Sequence, residues 1–227
     1  MSIWSRISAA LSALSSGQPL SEVFSHLRRP PERTVAFAIA VIALGAKIAK
    51  ADGQVTRDEV RAFREVFVIP PEEEANAARV FNLARQDIAG YADYARRIAA
   101  LFDSGDPALR DLMEGLFHIA TADGDYHANE DKILAEVAAI FGLSDREFRS
   151  LRARFVPDCA HDPYEVLGVS PEMPLGDIRR AWHRAVRDSH PDVMIARGVP
   201  QEAVHMAEQR LIAINRAWEE ISSRADA

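Results

Sequence analysis

A chain of 227 residues with 48% hydrophobic and 27% charged side chains has room for one large domain or two small ones and reads as globular. Its formal net charge of -7 argues against a nucleic-acid footprint over the whole molecule, because phosphate binding needs an excess of Lys and Arg. The single cysteine, Cys159, excludes an intrachain disulfide framework and a cysteine-built zinc site, and it fits a reducing, cytoplasmic compartment.

Apolar residues recur with helical period, and period-two alternation never lasts long enough for a strand, so the predicted fold class is all-α. Residues 1–30 read as a leader. Its stripe of Ile3, Trp4, Ile7, Leu11 and Leu14 is punctuated by serines and predicts a short amphipathic helix or a disordered tail. Docking of that stripe on a partner protein or at the inner face of a membrane is the alternative. A secretory signal would have a more continuous apolar core. Pro30 and Pro31 close the leader, since neither fits inside a helix without losing a hydrogen bond. The uncharged run 35–46 that follows is too short to span a bilayer, which takes about 20 apolar residues; Lys47, Lys50 and Asp52 end it.

Residues 31–157 carry an internal repeat. KIAKADGQVTRDEVRAFREVF from Lys47 matches HIATADGDYHANEDKILAEVA from His118 at an offset of 71 residues. Each copy reads as an apolar helix, a glycine turn and a second amphipathic helix, so the pair predicts a pseudo-twofold helical bundle. Further helices are expected near 71–86 and 91–103, and SDREFRSLRARF opens on a capping box from Ser144 to Glu147. The shared frame is I-A-x-A-D-G, with Glu seven positions after Asp: Asp52 with Glu59, and Asp123 with Glu130.

These paired segments resemble the TerB-like helical domain of tellurite-resistance proteins over roughly residues 33–155. The resemblance implies a divalent metal held by acidic residues, here Asp52, Glu59, Asp123 and Glu130, if the pseudo-twofold brings both loops together. Turn and cap chemistry accounts for most of the same residues without an ion. Gly53 and Gly124 suit the left-handed position that closes a helix, and Thr56 with Glu59 makes a capping box. His127 stands where a Ser or Thr would cap the second copy, which leaves Glu130 less explained. A calcium loop of the EF-hand kind is rejected, because its glycine sits at the sixth position after spaced acidic ligands, and here Gly follows Asp directly.

Two prolines bracket PDCAHDP and open a C-terminal region, residues 158–227. Asp162, Pro163 and Glu165 make a helix start that Gly168 ends. A second helix, 174–189, gathers Ile178, Ala181, Trp182, Ala185 and Val186 on one face and Arg180, His183, Arg184 and Arg187 on the other. Pro191 forces His190 into an extended conformation and stops it. An apolar loop, VMIARGVP, leads to a third helix from Gln201 to about Ser222. Its stripe of Val204, Ala207, Leu211, Ile214, Trp218 and Ile221 can cover the second helix.

The tripeptide His190-Pro191-Asp192 at the tip of two antiparallel helices, preceded by DPYEVLGV, resembles the J domain over residues 161–223. That resemblance implies docking on a DnaK-type chaperone and stimulation of its ATP hydrolysis. Asp192 would pair with an arginine of the chaperone while His190 and Pro191 shape the contact. Arg179, Arg180, Arg184 and Arg187 would face an acidic surface of its ATPase domain. Three residues depart from the usual pattern: Ser189 replaces a common aromatic or histidine, Val193 a frequent basic residue, and Asp188 interrupts the positive helix end. The order of the two regions is similar to that of DjlA-like co-chaperones. Some of these have a membrane-spanning anchor, a segment with no counterpart in this sequence, and the Gly/Phe-rich and cysteine-rich modules of general DnaJ proteins have none either.

The leading expectation is therefore a cytoplasmic co-chaperone whose TerB-like region serves targeting, client contact or sensing. The alternative is an acidic metal- or stress-sensing module in which the J domain is a tether. No HExxH, nucleophile elbow or P-loop pattern occurs, so no enzyme activity is expected.

Overall fold

The computed structural model describes residues 6–7, 9–10, 20, 32–49, 66, 69–86, 90–103, 105–122, 124, 126–156, 162–203 and 205–225. Asp52, Glu59, Asp123, Cys159, Val204 and most of the leader stripe lie outside them. Among the described residues there are ten α-helices and no strand, as the helical periodicity predicts.

The uncharged run becomes the axis of the bundle. Helix α1, Glu32–Ala49, is buried from Val35 to Ile48, as befits a helix apolar on every side. Lys47 ends the run without leaving the core: it is 8% exposed, with Nζ 5.1 Å from the centroid of the Tyr94 ring. Around α1 pack α2 (Glu74–Gln86), α3 (Tyr91–Ala99) and α4 (Pro107–Ala120). The α5 helix (Ala128–Ile140) rests on α3 and α4, and α6 (Asp145–Phe155) lies against α4. Ile7 and Leu20 of the leader are buried in the same apolar cluster. No helix among the described residues is long and apolar enough to cross a membrane.

Local chemistry sets most of the helix ends. Asp106 accepts from the Ala108 N–H ahead of Pro107, and Ser144 and Glu147 form the expected reciprocal cap of α6. Helix α3 ends earlier than expected: the N–H groups of Leu101 and Phe102 turn to the carbonyls of Ile98 and Ala99, a tighter pattern that brings Phe102 into the core. Gly124 is left-handed at φ 86. It closes a turn onto Thr121 O instead of the helix itself, because α4 already stops at Ala120 with Thr121 as its cap.

The C-terminal hairpin is built on α6. A five-residue helix, α7 (Pro163–Leu167), has Asp162 as N-cap and ends on Gly168 at φ 63; it packs between α6 and α10 (His205–Ala225). Helix α8 (Leu175–Asp188) pairs with α10. Ile178 shares a cluster with Ile221, Trp182 stacks on Trp218 at 5.1 Å, and Trp182 Nε1 donates to Asn215 Oδ1 at 2.9 Å. This register makes the two helices antiparallel.

The connection between them is not the plain loop that was expected. Pro191–Ala196 forms a short helix, α9, followed by a 3-10 turn at Gln201–Ala203, so α10 begins at His205. The physical reason lies in the residues that stop α8. An extended residue followed by proline is also a helix start, the first as N-cap and the second at N1.

Candidate functional site

The site sits at the free end of the α8/α10 hairpin. Ser189 ends α8 and is buried, with Oγ donating to Ala185 O at 2.6 Å. The Ala185 carbonyl already accepts the Ser189 N–H at 3.1 Å, so the hydroxyl adds a second donor to it, which an aromatic ring could not do. His190 follows in extended conformation, φ -65 and ψ 135. Its Nδ1 accepts the Asp192 N–H at 3.2 Å, so the proton of the neutral ring resides on Nε2. The Asp192 side chain is 87% exposed, with Oδ2 3.7 Å from the same Nδ1. Pro191 fixes the backbone between them.

Beside this tip runs the basic face of α8. Arg179, Arg180, His183, Arg184 and Arg187 are all exposed, while Ile178 on the opposite face is buried. Arg180 pairs with Asp177 one turn back on the same helix. No ion pair among the described residues engages Arg179, Arg184 or Arg187. The tip thus offers a carboxylate and, along one helix face, guanidinium groups with unused donors.

Behind the tip lies a charged cluster that sequence spacing alone does not reveal. Asp111 and Glu114 of α4 are almost fully buried, and Arg210 of α10 reaches both, with Nη2 2.6 Å from Asp111 Oδ1. Arg154 of α6 approaches Glu114 at 3.6 Å. Arg197, at the end of α9, lies 4.0 Å from Asp111 and 3.6 Å from the Asp188 carboxylate. Burial works to raise both carboxyl groups. In Glu114 the surrounding guanidiniums, Arg210 first and Arg154 next, overcome it and hold the group below its ordinary value. In Asp111 burial prevails against Arg210, and the group is raised. One sign of this cluster was present in the sequence: Arg210 falls in the i+3, i+4 series with Ala207, Ile214 and Ala217, a core position.

Of the four acidic residues implied as metal ligands, Asp52, Glu59 and Asp123 lie outside the described residues. Glu130 is only 6% exposed, and its Oε2 accepts the His127 N–H at 2.9 Å. Capping therefore accounts for Glu130 despite the missing Ser or Thr, because the carboxylate half of a capping box needs only the backbone N–H of the N-cap residue. Next to it, Asp131 takes the Tyr126 hydroxyl and Arg152. Among the described residues no group of three His, Cys, Asp or Glu side chains is placed to hold a metal ion.

Comparison with known proteins finds one family model, over the bundle, and similarity to named relatives over most of the chain. The family model described as tellurite resistance protein TerB matches residues 38–153. The chain is 26% identical over 216 residues to "Co-chaperone protein DjlA" of Photobacterium profundum, covering 84% of this chain and 78% of that one. Similarity to the proteins of the same name in Vibrio cholerae and Coxiella burnetii is 25% over 220 and 194 residues, covering 83% and 77% of this chain and 78% and 72% of theirs. A share of 84% is more than residues 1–153 contain, so the first of these similarities extends beyond the TerB match into the hairpin. No solved structure matches the chain.

Proposed function

The chain belongs to the TerB family, and from that premise, joined to the similarity with DjlA co-chaperones, we propose that it is a J-domain co-chaperone acting on a DnaK-type ATPase. The observation that carries this reading is the tip itself: an exposed Asp192, fixed by Pro191 and by the Asp192 N–H bond to His190, beside a helix face of exposed arginines. Asp192 pairs with an arginine of the chaperone. Arg179, Arg180, Arg184 and Arg187 meet acidic surface on its ATPase domain. Complementarity of this kind acts mainly on encounter rate and register, and it weakens with salt. The protein does no bond-making chemistry of its own. It favours the hydrolysis-competent state of its partner through contacts made in that state. The bundle, residues 31–157, serves targeting, client contact or sensing.

Single-turnover ATP hydrolysis by the cognate chaperone tests the proposal. The wild-type chain accelerates the step and His190→Gln does not, because the amide side chain cannot reproduce the ring that receives the Asp192 N–H. Equal rates for the two chains, or no acceleration by either, would refute it.

A further inference from the structure

Resting on that reading, we infer that Arg197 and Asp111 are positioning residues for the His190–Asp192 tip, so that the bundle sets how the tip is presented to the ATPase. Arg197 grips the tip from behind. Its Nη1 donates to the Asp188 carbonyl at 3.3 Å, and its Nη2 lies 3.6 Å from the Asp188 carboxylate. That carbonyl belongs to the last turn of α8, where no intrahelical N–H can reach it. The same guanidinium stands 4.0 Å from Asp111, which Arg210 holds on its other oxygen at 2.6 Å. Asp111 is thus the point where the central layer of the bundle, α10 and the end of α8 are tied together.

An apolar anchor works in parallel. Met194 and Val199, on either side of Arg197, are 0% and 1% exposed and belong to the apolar cluster formed by α1 and α4. The three tip residues are therefore suspended between two fixed points, the clamped end of α8 and a buried methionine two residues past Asp192. Neither Arg197 nor Asp111 faces the partner: their side chains are 21% and 1% exposed. Their effect passes through the backbone of the tip alone.

This arrangement separates two quantities. The arginine face of α8 governs encounter, hence the concentration needed for half-maximal stimulation. Tip geometry governs the maximal rate, because a small misplacement of a positioned group costs heavily in the activated state. With the full chain titrated against the DnaK-type ATPase in single turnover, Arg197→Ala lowers the maximal rate about tenfold and leaves the half-maximal concentration within about twofold. Arg184→Ala does the reverse. Arg197→Lys, which keeps one donor group for the carbonyl, recovers part of the maximum.

Asp188→Asn decides the matter should Arg197→Ala fail to fold, since that carboxylate is 61% exposed and supports no core. A positioning role predicts a lower maximum. A role of charge alone predicts an unchanged maximum and a lower half-maximal concentration, because a negative group has left the basic face. An unchanged maximum in both variants, while His190→Gln is inactive, overturns the positioning role and leaves the co-chaperone reading standing. A wild-type chain that does not stimulate removes both.

Discussion

Arg210 is a charged residue in a position that its own helix marks as core, with Ala207, Ile214, Ala217 and Ile221 buried around it. Taking its guanidinium out of water is tolerable only because Asp111 and Glu114 meet it. Arg210→Met keeps the volume and leaves two buried carboxylates with only the longer contacts to Arg154 and Arg197, so urea denaturation should show a loss of about 3–5 kcal/mol. Replacing Asp111, Glu114, Arg210 and Arg154 together by apolar residues should return most of it, since a whole buried ion cluster is often no more stable than a hydrophobic one. Acid affects the cluster through Glu114, whose folded value is held down. Its stabilising contribution is present above the ordinary Glu range and is lost as pH falls through the lowered folded value. Asp111 is raised and works in the opposite sense, favouring the fold below the ordinary carboxylate range and less as pH rises. Glu114→Gln should therefore flatten the fall in stability as pH drops below the ordinary Glu range in a denaturation series. The exposed tip was legible from residue type and helical spacing, because those two facts decide which face meets solvent. Arg197 and Asp111 were not, since their partnership depends on which helices meet, and helical periodicity within one segment carries no such information.

At the scale of elements, punctuation residues did most of the work. Asp162, Pro163 and Gly168 define α7, a helix too short to persist by itself. It survives through its cap and through packing between α6 and α10, with Ser150 Oγ donating to the Val166 carbonyl at 3.0 Å. Asp162→Ala removes the acceptor of the Tyr164 N–H and should cost about 1 kcal/mol, while Asp162→Asn should cost little; thermal melts of the two variants distinguish them. The helix that went unrecognised, α9, shows the limit of this kind of reading. Read from the sequence, His190 and Pro191 signal only a stop. The apolar residues after them lack a helical stripe long enough to declare itself, and six residues become helical because Met194 finds the bundle core. Gly124, expected to close the helix itself, closes a turn beyond it, because Thr121 already provides the cap.

The whole molecule is joined more closely than its two sequence regions suggest. One apolar cluster runs from α1 and α4 through Met194, Val199 and Ala203 to Met206 and Ala207. Gly115 of α4 lies where α1 and α10 meet: a Cβ there would touch Val41 Cγ1 at 3.4 Å and Met206 Cε at 3.8 Å, ordinary van der Waals contact. The apolar loop after the tip, longer than a self-contained hairpin needs, thus covers the bundle, and the buried ion cluster joins the same two parts. Cooperativity follows from this. Two units that share a core and a charged network should unfold as one, so calorimetry of the wild-type chain should give a single transition whose van't Hoff and calorimetric enthalpies agree. Met206→Asp places an unpaired carboxylate where a 2% exposed methionine sat, at a cost of several kcal/mol concentrated on the contact between bundle and hairpin. The α8/α10 pairing through Trp182, Trp218 and Ile178 is untouched by that change. The expected thermogram then shows two separate transitions. A single transition at lower temperature would mean that the hairpin cannot stand without the bundle, and an unchanged one would mean that the shared core contributes nothing to stability.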